Sequence, residues 1–400
     1  MRRKRLWVAA ILALMLVAFG AQASQSQPSK KLAGEPIIIG GAIALTGGFS
    51  AYDLENRVGA ELAVEDVNKA GGLLGRPVKY EVQDTKSDRA VGPTVATDLL
   101  AKGAVALITQ CDFDFGAPAA LVAQAKKVPA FSCASSPKFG VQGIGPFAYD
   151  VSVTTQAEGA IFAEFPYNSL KARTAYVLVD TVLAYDTDDC NAFTTRWKQL
   201  KGTKIVGQDK FQNGDASIAS QITRIRSLKK QPDVVVVCTF LPGGVSAIRQ
   251  IRAAGIKSPI ITGIGMDTTS WYKPLKTLSD VYVTTYGSEY GDDPRPFVNQ
   301  FFKRFKAKAG HAPNVSFSMA AYCEVQVIAA AIKRAGSTDG DKMRQALDKF
   351  NKVPCVLGPV SYTPTKHWQT SFKVVVLQIT KSKAKFRALL TPIKPPAPKF

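Results

Sequence analysis

Histidine is all but missing from this chain. His311 and His367 are the only two in 400 residues, 56 positions apart, and neither has cysteines or clustered acids at metal-ligand spacing. A zinc enzyme is disfavoured on that count. Acidic side chains are scarce too: 31 Asp plus Glu stand against 51 Lys plus Arg, a formal charge of +20. No G-x-S-x-G elbow occurs, and neither G-x-x-x-x-G-K-S/T nor G-x-G-x-x-G is present. The sequence therefore offers no nucleophile elbow and no phosphate-cradling loop. The basic residues scatter over helix faces and the C-terminal tail, without a nucleic-acid motif. Two readings of the charge remain: favourable approach of anionic solutes, or simply a solvated basic surface.

With 46% hydrophobic and 20% charged residues, the chain has the composition of a globular protein with material for two ordinary domains. Arg2, Arg3, Lys4 and Arg5 precede an apolar run from Leu6 to Phe19, followed by Ala21-Gln22-Ala23. This reads as a secretory signal peptide over residues 1–23, because the apolar run is shorter than the roughly 20 residues of a membrane span. No cysteine follows at a lipid-attachment position, and no later run reaches spanning length. The mature chain is expected to be a free, periplasmic monomer.

The six cysteines lie at 111, 133, 190, 238, 323 and 355, in a compartment that permits oxidation. Cys111 and Cys133 each follow an apolar, strand-like run, and neighbouring parallel strands bring such residues near bridging distance. A disulfide between them and two free thiols are both open. Cys323 with Cys355 is a second candidate pair. Cys238 ends the run of valines 234–237 and reads as a small buried apolar residue.

Residues 24–35, rich in Ser, Gln, Pro and Lys, read as a flexible tether. Strands are then expected at 36–45, 78–83, 105–109 and 129–133, with helices at 52–70, 91–102 and 118–126. The alternation restarts after about residue 155, with strands at 174–179, 204–208 and 234–239 and helices at 190–200, 218–228 and 244–254. Continuous apolar strands joined by crossover helices imply an α/β fold of two doubly wound parallel sheets. A strand at 281–285 leads to helices at 296–309 and 318–335. In the first of these Phe297, Phe301, Phe302 and Phe305 share one side, and Lys303, Arg304, Lys306 and Lys308 form a solvated face. A last strand at 372–379 precedes a Lys- and Pro-rich tail.

In open parallel sheets, ligands collect beyond the carboxyl ends of the strands. The candidate loops are 46–53, 110–116 and 134–139 in the first half, and 180–189, 240–243 and 263–270 in the second. Tyr52 either lies over a ligand or is an ordinary boundary aromatic. Ala134, Ser135 and Ser136 place hydroxyls and backbone N–H groups just past a strand, a grip for a carboxylate. In Cys111-Asp112-Phe113-Asp114-Phe115, an extended backbone would turn either the aspartates or the phenylalanines toward the cleft. The first choice favours a cationic ligand and the second an apolar one. Asp267 is either an ammonium partner or a helix N-cap, while Tyr185 and Phe240 are placed to close over the ligand from the second half.

The stretch Ile38-Ile39-Gly40-Gly41-Ala42-Ile43-Ala44-Leu45-Thr46-Gly47, continued by residues 59–68 and by Gly71-Gly72-Leu73-Leu74-Gly75-Arg76-Pro77-Val78, resembles the Leu/Ile/Val-binding type of periplasmic substrate-binding protein that serves ABC importers. Residues 105–118, 129–136, Ala254-Gly255 and Leu357-Gly358-Pro359 look like later landmarks of that family. The resemblance implies a type I fold of two lobes joined by three hinge crossovers, near residues 154, 286 and 357. Lobe 1 would hold 36–154 plus 287–356, lobe 2 would hold 155–286 plus 357–390, and 391–400 would be a tail. The segments around Asp112 and Ala134–Ser136 match the family's places for ligand carboxylate and ammonium. Phe113 stands about where a hydroxyl residue is usual, and Asp267 matches the amine-binding acid only approximately.

The expected function is capture of an amino acid or related small carboxylate, aromatic acids included, and delivery to a membrane permease, with no cofactor, metal, nucleic acid or covalent chemistry. The alternatives are a ligand-sensing receptor component and, with both histidines expected at the surface, a secreted enzyme.

Overall fold

Short runs of Ile, Val and Ala become strands, and the amphipathic stretches between them become helices. The computed structural model describes residues 32–398 and 400; the signal peptide and tether residues 24–31 lie outside the described residues. The first series is β1 (Ile37–Ile43), α1 (Ser50–Lys69), β2 (Val78–Asp84), α2 (Gly92–Ala101), β3 (Ala104–Thr109), α3 (Phe113–Ala125), β4 (Ala130–Ser132) and β5 (Ala148–Asp150). Its strands form one parallel sheet in the order β2-β1-β3-β4-β5.

The chain then runs through α4 (Thr155–Ser169), β6 (Thr174–Asp180), α5 (Ala184–Lys198), β7 (Lys204–Phe211), α6 (Ala219–Arg226), β8 (Val234–Cys238), α7 (Gly243–Ala253), β9 (Ile260–Thr262) and β10 (Val281–Thr285). After β10 it returns to the first sheet with α8 (Pro296–Ala309), α9 (Ser318–Ala335), α10 (Gly340–Leu347) and the hairpin β11 (Val353–Cys355) and β12 (Gly358–Val360). Finally β13 (Val374–Thr380) and β14 (Lys383–Leu390) complete the second sheet, ordered β14-β13-β10-β9-β8-β6-β7. Here β10, β9, β8, β6 and β7 run parallel, and the last two strands are antiparallel. Helix α9 lies along α1, so close that a Cβ on Gly59 would overlap the Ser318 carbonyl. Only glycine permits that approach.

Several expectations are corrected. Helix α3 begins at Phe113, not near 118, because the Asp112 side chain caps it by accepting the Phe115 N–H at 3.1 Å. The segment 111–115 is therefore not extended, and its side chains do not alternate between two faces. Helix α5 begins six residues before the expected 190, at Ala184, whose N–H donates to Asp114 at 2.8 Å. The Lys-rich stretch after 380 contains strand β14, an edge strand whose Lys383 and Lys385 are exposed, as suits a sheet edge that must not pair further. The basic side of α8 is not wholly solvated: Arg304 reaches Asp66 at 2.7 Å and Lys308 reaches Glu65 at 2.6 Å, both on α1. His311 is exposed. His367 is fully buried, with Nδ1 2.9 Å from the Ala148 carbonyl, Nε2 2.9 Å from Asp348, and its ring stacked on Tyr149. Residues 32–35 of the expected tether are held, since Arg76 donates to the Glu35 carbonyl at 2.7 Å.

Three disulfides join Cys111 to Cys133, Cys323 to Cys355 and Cys190 to Cys238. The last corrects the reading of Cys238 as a plain buried residue. Helix α5 packs over β8 and sets Cys190 with its Cα 5.8 Å from that of Cys238, a meeting invisible in the local run of valines. Among the described residues no cysteine is free and no helix is long and apolar enough to cross a membrane. Replacing Cys190 and Cys238 together by Ala is expected to lower the urea-unfolding free energy by about 2–4 kcal/mol. An unchanged urea midpoint would show that this bridge does not staple α5 to its sheet.

Candidate functional site

Loops leaving the carboxyl ends of β1, β3, β4, β6, β8 and β9 meet around one cavity enclosing about 370 Å³ of atom-free space, its mouth included. From the first sheet come Phe49, Tyr52, the Cys111–Cys133 bridge, Asp112, Ala134 and Ser135. From the second come Leu183, Tyr185, Phe240, Ile264 and Gly265, and Phe317 enters from the segment before α9. Such a volume, mostly apolar with a few convergent polar groups, suits a small organic molecule.

Aromatic rings connect the two walls. Phe49 stacks on Phe240 with centroids 5.8 Å apart, and Tyr52 meets Phe317 at 5.2 Å. The Tyr52 hydroxyl donates to the Gly265 carbonyl at 2.6 Å and accepts the Leu241 N–H at 3.3 Å. On the far side Glu158, at the start of α4, accepts the Tyr185 hydroxyl at 2.9 Å, the Ile264 N–H at 2.8 Å and the Thr284 hydroxyl. Burial is the main reason the Glu158 carboxyl is pushed above its ordinary range, and the same cause raises the Tyr52 and Tyr185 phenols.

The carboxyl group of Asp112 is pushed up to about 7, first by burial and then by the neighbouring charge of Asp114. Behind the Tyr185 wall, Asp186 and Asp189 are fully buried, and none of their four carboxylate oxygens has a hydrogen-bond partner among the described residues. Desolvation raises both well above the usual carboxylate range. The nearby cations are engaged elsewhere: Lys138 pairs with Asp188 at 3.0 Å, and Arg89 lies over the Phe115 ring, 4.6 Å from its centroid. Among the described residues no group of His, Cys, Asp and Glu could hold a metal ion.

A family model described as periplasmic binding protein matches residues 36–387. This chain belongs to the periplasmic binding protein family. Within it, the chain is 26% identical over 331 residues to the Leu/Ile/Val-binding protein homolog 1 of Brucella suis biovar 1, covering 82% of this chain and 86% of that one. It is 25% identical over 328 residues to the amino acid binding protein of Pseudomonas aeruginosa, covering 80% and 84%. Among solved structures it is similar to the branched-chain amino acid transporter substrate-binding protein LivJ of Streptococcus pneumoniae in complex with isoleucine, with TM-score 0.78, 22% identity and coverage of 90% and 100%. It is also similar to an ABC transporter solute-binding protein of R. palustris in complex with benzoate, with TM-score 0.73, 17% identity and coverage of 90% and 97%. The fold is that of a type I periplasmic binding protein.

Of the residues singled out in the sequence, this binding protein brings Tyr52, Asp112, Ala134, Ser135, Tyr185 and Phe240 to the cavity wall. Four others lie off it. Phe113 turns into the apolar cluster around α2 and α3 because α3 starts one residue after Asp112. Asp114 caps α5. Ser136 is buried with its N–H donating to Asp150 at 2.8 Å. Asp267 is not among the residues lining the cavity and caps no α-helix: its Oδ2 accepts the Thr285 hydroxyl at 2.8 Å and the Ser316 N–H at 3.0 Å.

Sequence reasoning did not single out Phe49, Leu183, Ile264, Gly265, Phe317 or Glu158. The first four lay inside candidate loops, whereas Phe317 and Glu158 carried no local signal. Burial pushes Asp267 up to about 6 from 3.8, so the folded state holds its proton more tightly than the unfolded chain. That contribution to stability is present below about pH 4 and is lost as pH rises through about 6. Relative to Asp267→Asn, the parent chain should therefore lose up to about 3 kcal/mol between those limits. Parallel pH profiles of the urea midpoint for the two proteins would contradict this.

Proposed function

We propose that this chain is an extracytoplasmic substrate-binding protein that captures one small solute with an apolar or aromatic body and delivers it, unaltered, to the permease of an ABC transporter. The observation that carries the reading is the convergence of strand-end loops from both sheets on a single cavity, joined across by Tyr52. Residues 36–154 plus 287–356 act as one lobe and 155–286 plus 357–390 as the other. The passages near 154, 286 and 357 serve as hinges. The open form exposes two half-sites, and a solute touching both favours closure by its differential affinity for the closed form.

The relatives support a transport role: several carry names for branched-chain amino acid binding, and one solved relative holds isoleucine while another holds benzoate. Those two ligands share a compact apolar body and a carboxylate, and isoleucine carries an ammonium as well. The rings of Phe49, Phe240 and Phe317 form a wall suited to such a body. In this reading the protein works as a monomer in the periplasm after loss of the signal peptide, and no bond is made or broken.

Small-angle scattering of the mature chain tests the mechanism: its radius of gyration should fall when a cognate solute is added. A profile unchanged by every solute that raises the melting temperature would overturn hinge closure. Tyr52→Phe removes only the hydroxyl that bridges the two sides. One net hydrogen bond predicts a loss of solute affinity of up to about tenfold, with the urea midpoint nearly unchanged. Unaltered affinity would remove Tyr52 from the closing mechanism.

A further inference from the structure

We infer that the pole of the second sheet at the amino ends of its parallel strands is a docking surface for the anionic headgroups of a phospholipid bilayer. The inference goes beyond the solute-binding role proposed above and does not depend on it. The cavity lies at the carboxyl ends of the same strands, so a chain seated on this pole keeps its cavity free.

Strands β6, β7, β8, β9 and β10 run parallel, so the segments that enter them share one edge of the sheet. These are residues 170–173, 199–203, 227–233, 254–259 and 275–280, and the antiparallel β13 adds its turn at 381–382 to the same edge. Each of the six segments carries an exposed lysine: Lys171, Lys201, Lys229, Lys257, Lys276 and Lys381. Among the described residues the ion pairs made by lysine belong to other positions. Asp233 and Asp280 are the only acids on these segments, and Asp233 accepts the Arg173 and Thr174 N–H groups at 2.9 and 3.0 Å. In the corresponding segments of the first sheet, by contrast, Lys102 pairs with Glu81 at 3.2 Å and Lys127 with Asp341 at 3.4 Å.

Hydrogen bonds stitch the six segments into one surface. The Lys204 N–H donates to the Arg173 carbonyl at 2.8 Å, and the Ser258 hydroxyl to the Pro232 carbonyl at 2.6 Å. The Arg252 guanidinium donates to the carbonyls of Ser258 and Ser279 at 2.9 and 3.2 Å, and the Lys381 N–H to the Ser279 hydroxyl oxygen at 2.9 Å. The backbone that carries the lysines is therefore arranged in advance, and docking need not order it.

The chemistry of the pole selects its partner. The six segments contain no aromatic residue, and none of the exposed large apolar side chains of the described residues lies on them. A protein interface is built around such anchors, and single-stranded nucleic acid stacks on aromatic rings. The one arginine of the segments, Arg173, lies over the Tyr167 ring, 3.9 Å from its centroid, and donates to the Ala172 carbonyl at 2.8 Å. It offers no free planar fork to a phosphate of fixed position. What the pole presents is a spread of point charges, which suits a fluid layer of anionic headgroups. Each lysine close to such a layer strengthens binding about fivefold, and the attraction decays within about 8 Å at physiological salt.

Co-sedimentation of the mature chain with vesicles tests the surface. Phosphatidylcholine vesicles holding about a third phosphatidylglycerol should bind the chain at least about tenfold more tightly than phosphatidylcholine alone, and added salt should remove the difference. A quadruple variant with Lys201→Gln, Lys229→Gln, Lys257→Gln and Lys276→Gln should lose at least about tenfold of that binding. A second, with Lys126→Gln, Lys303→Gln, Lys306→Gln and Lys349→Gln, removes the same charge from exposed positions on the first sheet's side and should stay within about twofold of the parent. In the unsubstituted chain, anionic vesicles should slow acetylation of the six pole lysines and leave Lys303 and Lys306 reacting as before. The inference is overturned if both variants lose binding equally, which assigns it to net charge, if the two kinds of vesicle bind the chain alike, or if acetylation of the pole is unchanged. Retention on polyglutamate that only the first variant loses, with no binding to vesicles, would assign the pole to an acidic protein and overturn it as well.

Discussion

The Tyr52 phenol links the two walls of the cavity at its centre, beside the Asp114–Ala184 and Lys138–Asp188 contacts. Tyr52 opens α1 on the first sheet's side, and its hydroxyl meets a carbonyl and an N–H in the loops after β9 and β8 of the second. Because the ring also packs on Phe317, its position depends on the return passage of the chain through α8 and α9. The fit of α9 against α1, possible only with no side chain at residue 59, brings Phe317, the residue before α9, into the neighbourhood of Tyr52. Sheet order, helix packing and the cross-wall hydrogen bond are links of one mechanical chain.

The buried acids divide into two kinds. Asp53 accepts the Ala44 N–H at 2.8 Å, Asp150 accepts the Ser136 and Ser152 N–H groups, and Asp267 accepts Thr285 and Ser316. These organise loops, and their donors partly counter the penalty of burial. Asp186 and Asp189, both on α5, have no such donors, and desolvation raises both well above the usual carboxylate range. Glu324 is equally bare but sits in α9, among Asp53, Asp150 and Tyr80. Hydrogen-bond accounting separates acids that organise loops from acids whose burial no donor counters.

Much of the scaffold was legible because each strand is a short apolar run and each helix repeats apolar positions at its own period; the bounds of α8 and α9 match that spacing, although Phe297, expected on the side of Phe301, Phe302 and Phe305, is 49% exposed and Val298 is buried instead. The starts of α3 and α5 were not legible, since each depends on an aspartate acting as cap, one of them from a different sheet. Strand β14 was hidden by its lysines, which mark a strand edge as readily as a tail. At the site, position relative to strand ends identified the correct loops. Which side chain within each loop faces inward was not encoded locally. Asp267 looked available in sequence and is consumed by Ser316, while Phe317 looked like an ordinary helix flank and borders the cavity. Glu158 reads as a helix-start acid, and its three partners come from α5, β10 and the loop after β9.

The sulfur bridges add a further consequence. Among the described residues each joins elements on one side of the cleft, β3 to β4, α5 to β8, and α9 to β11, so none tethers the two sheets to each other. Oxidation thus cross-links elements within each half and places no covalent tether between the sheets. The Cys111–Cys133 bridge is also a tile of the cavity floor. Reduction of this bridge would act on the lining itself, whereas reduction of the other two would act away from it.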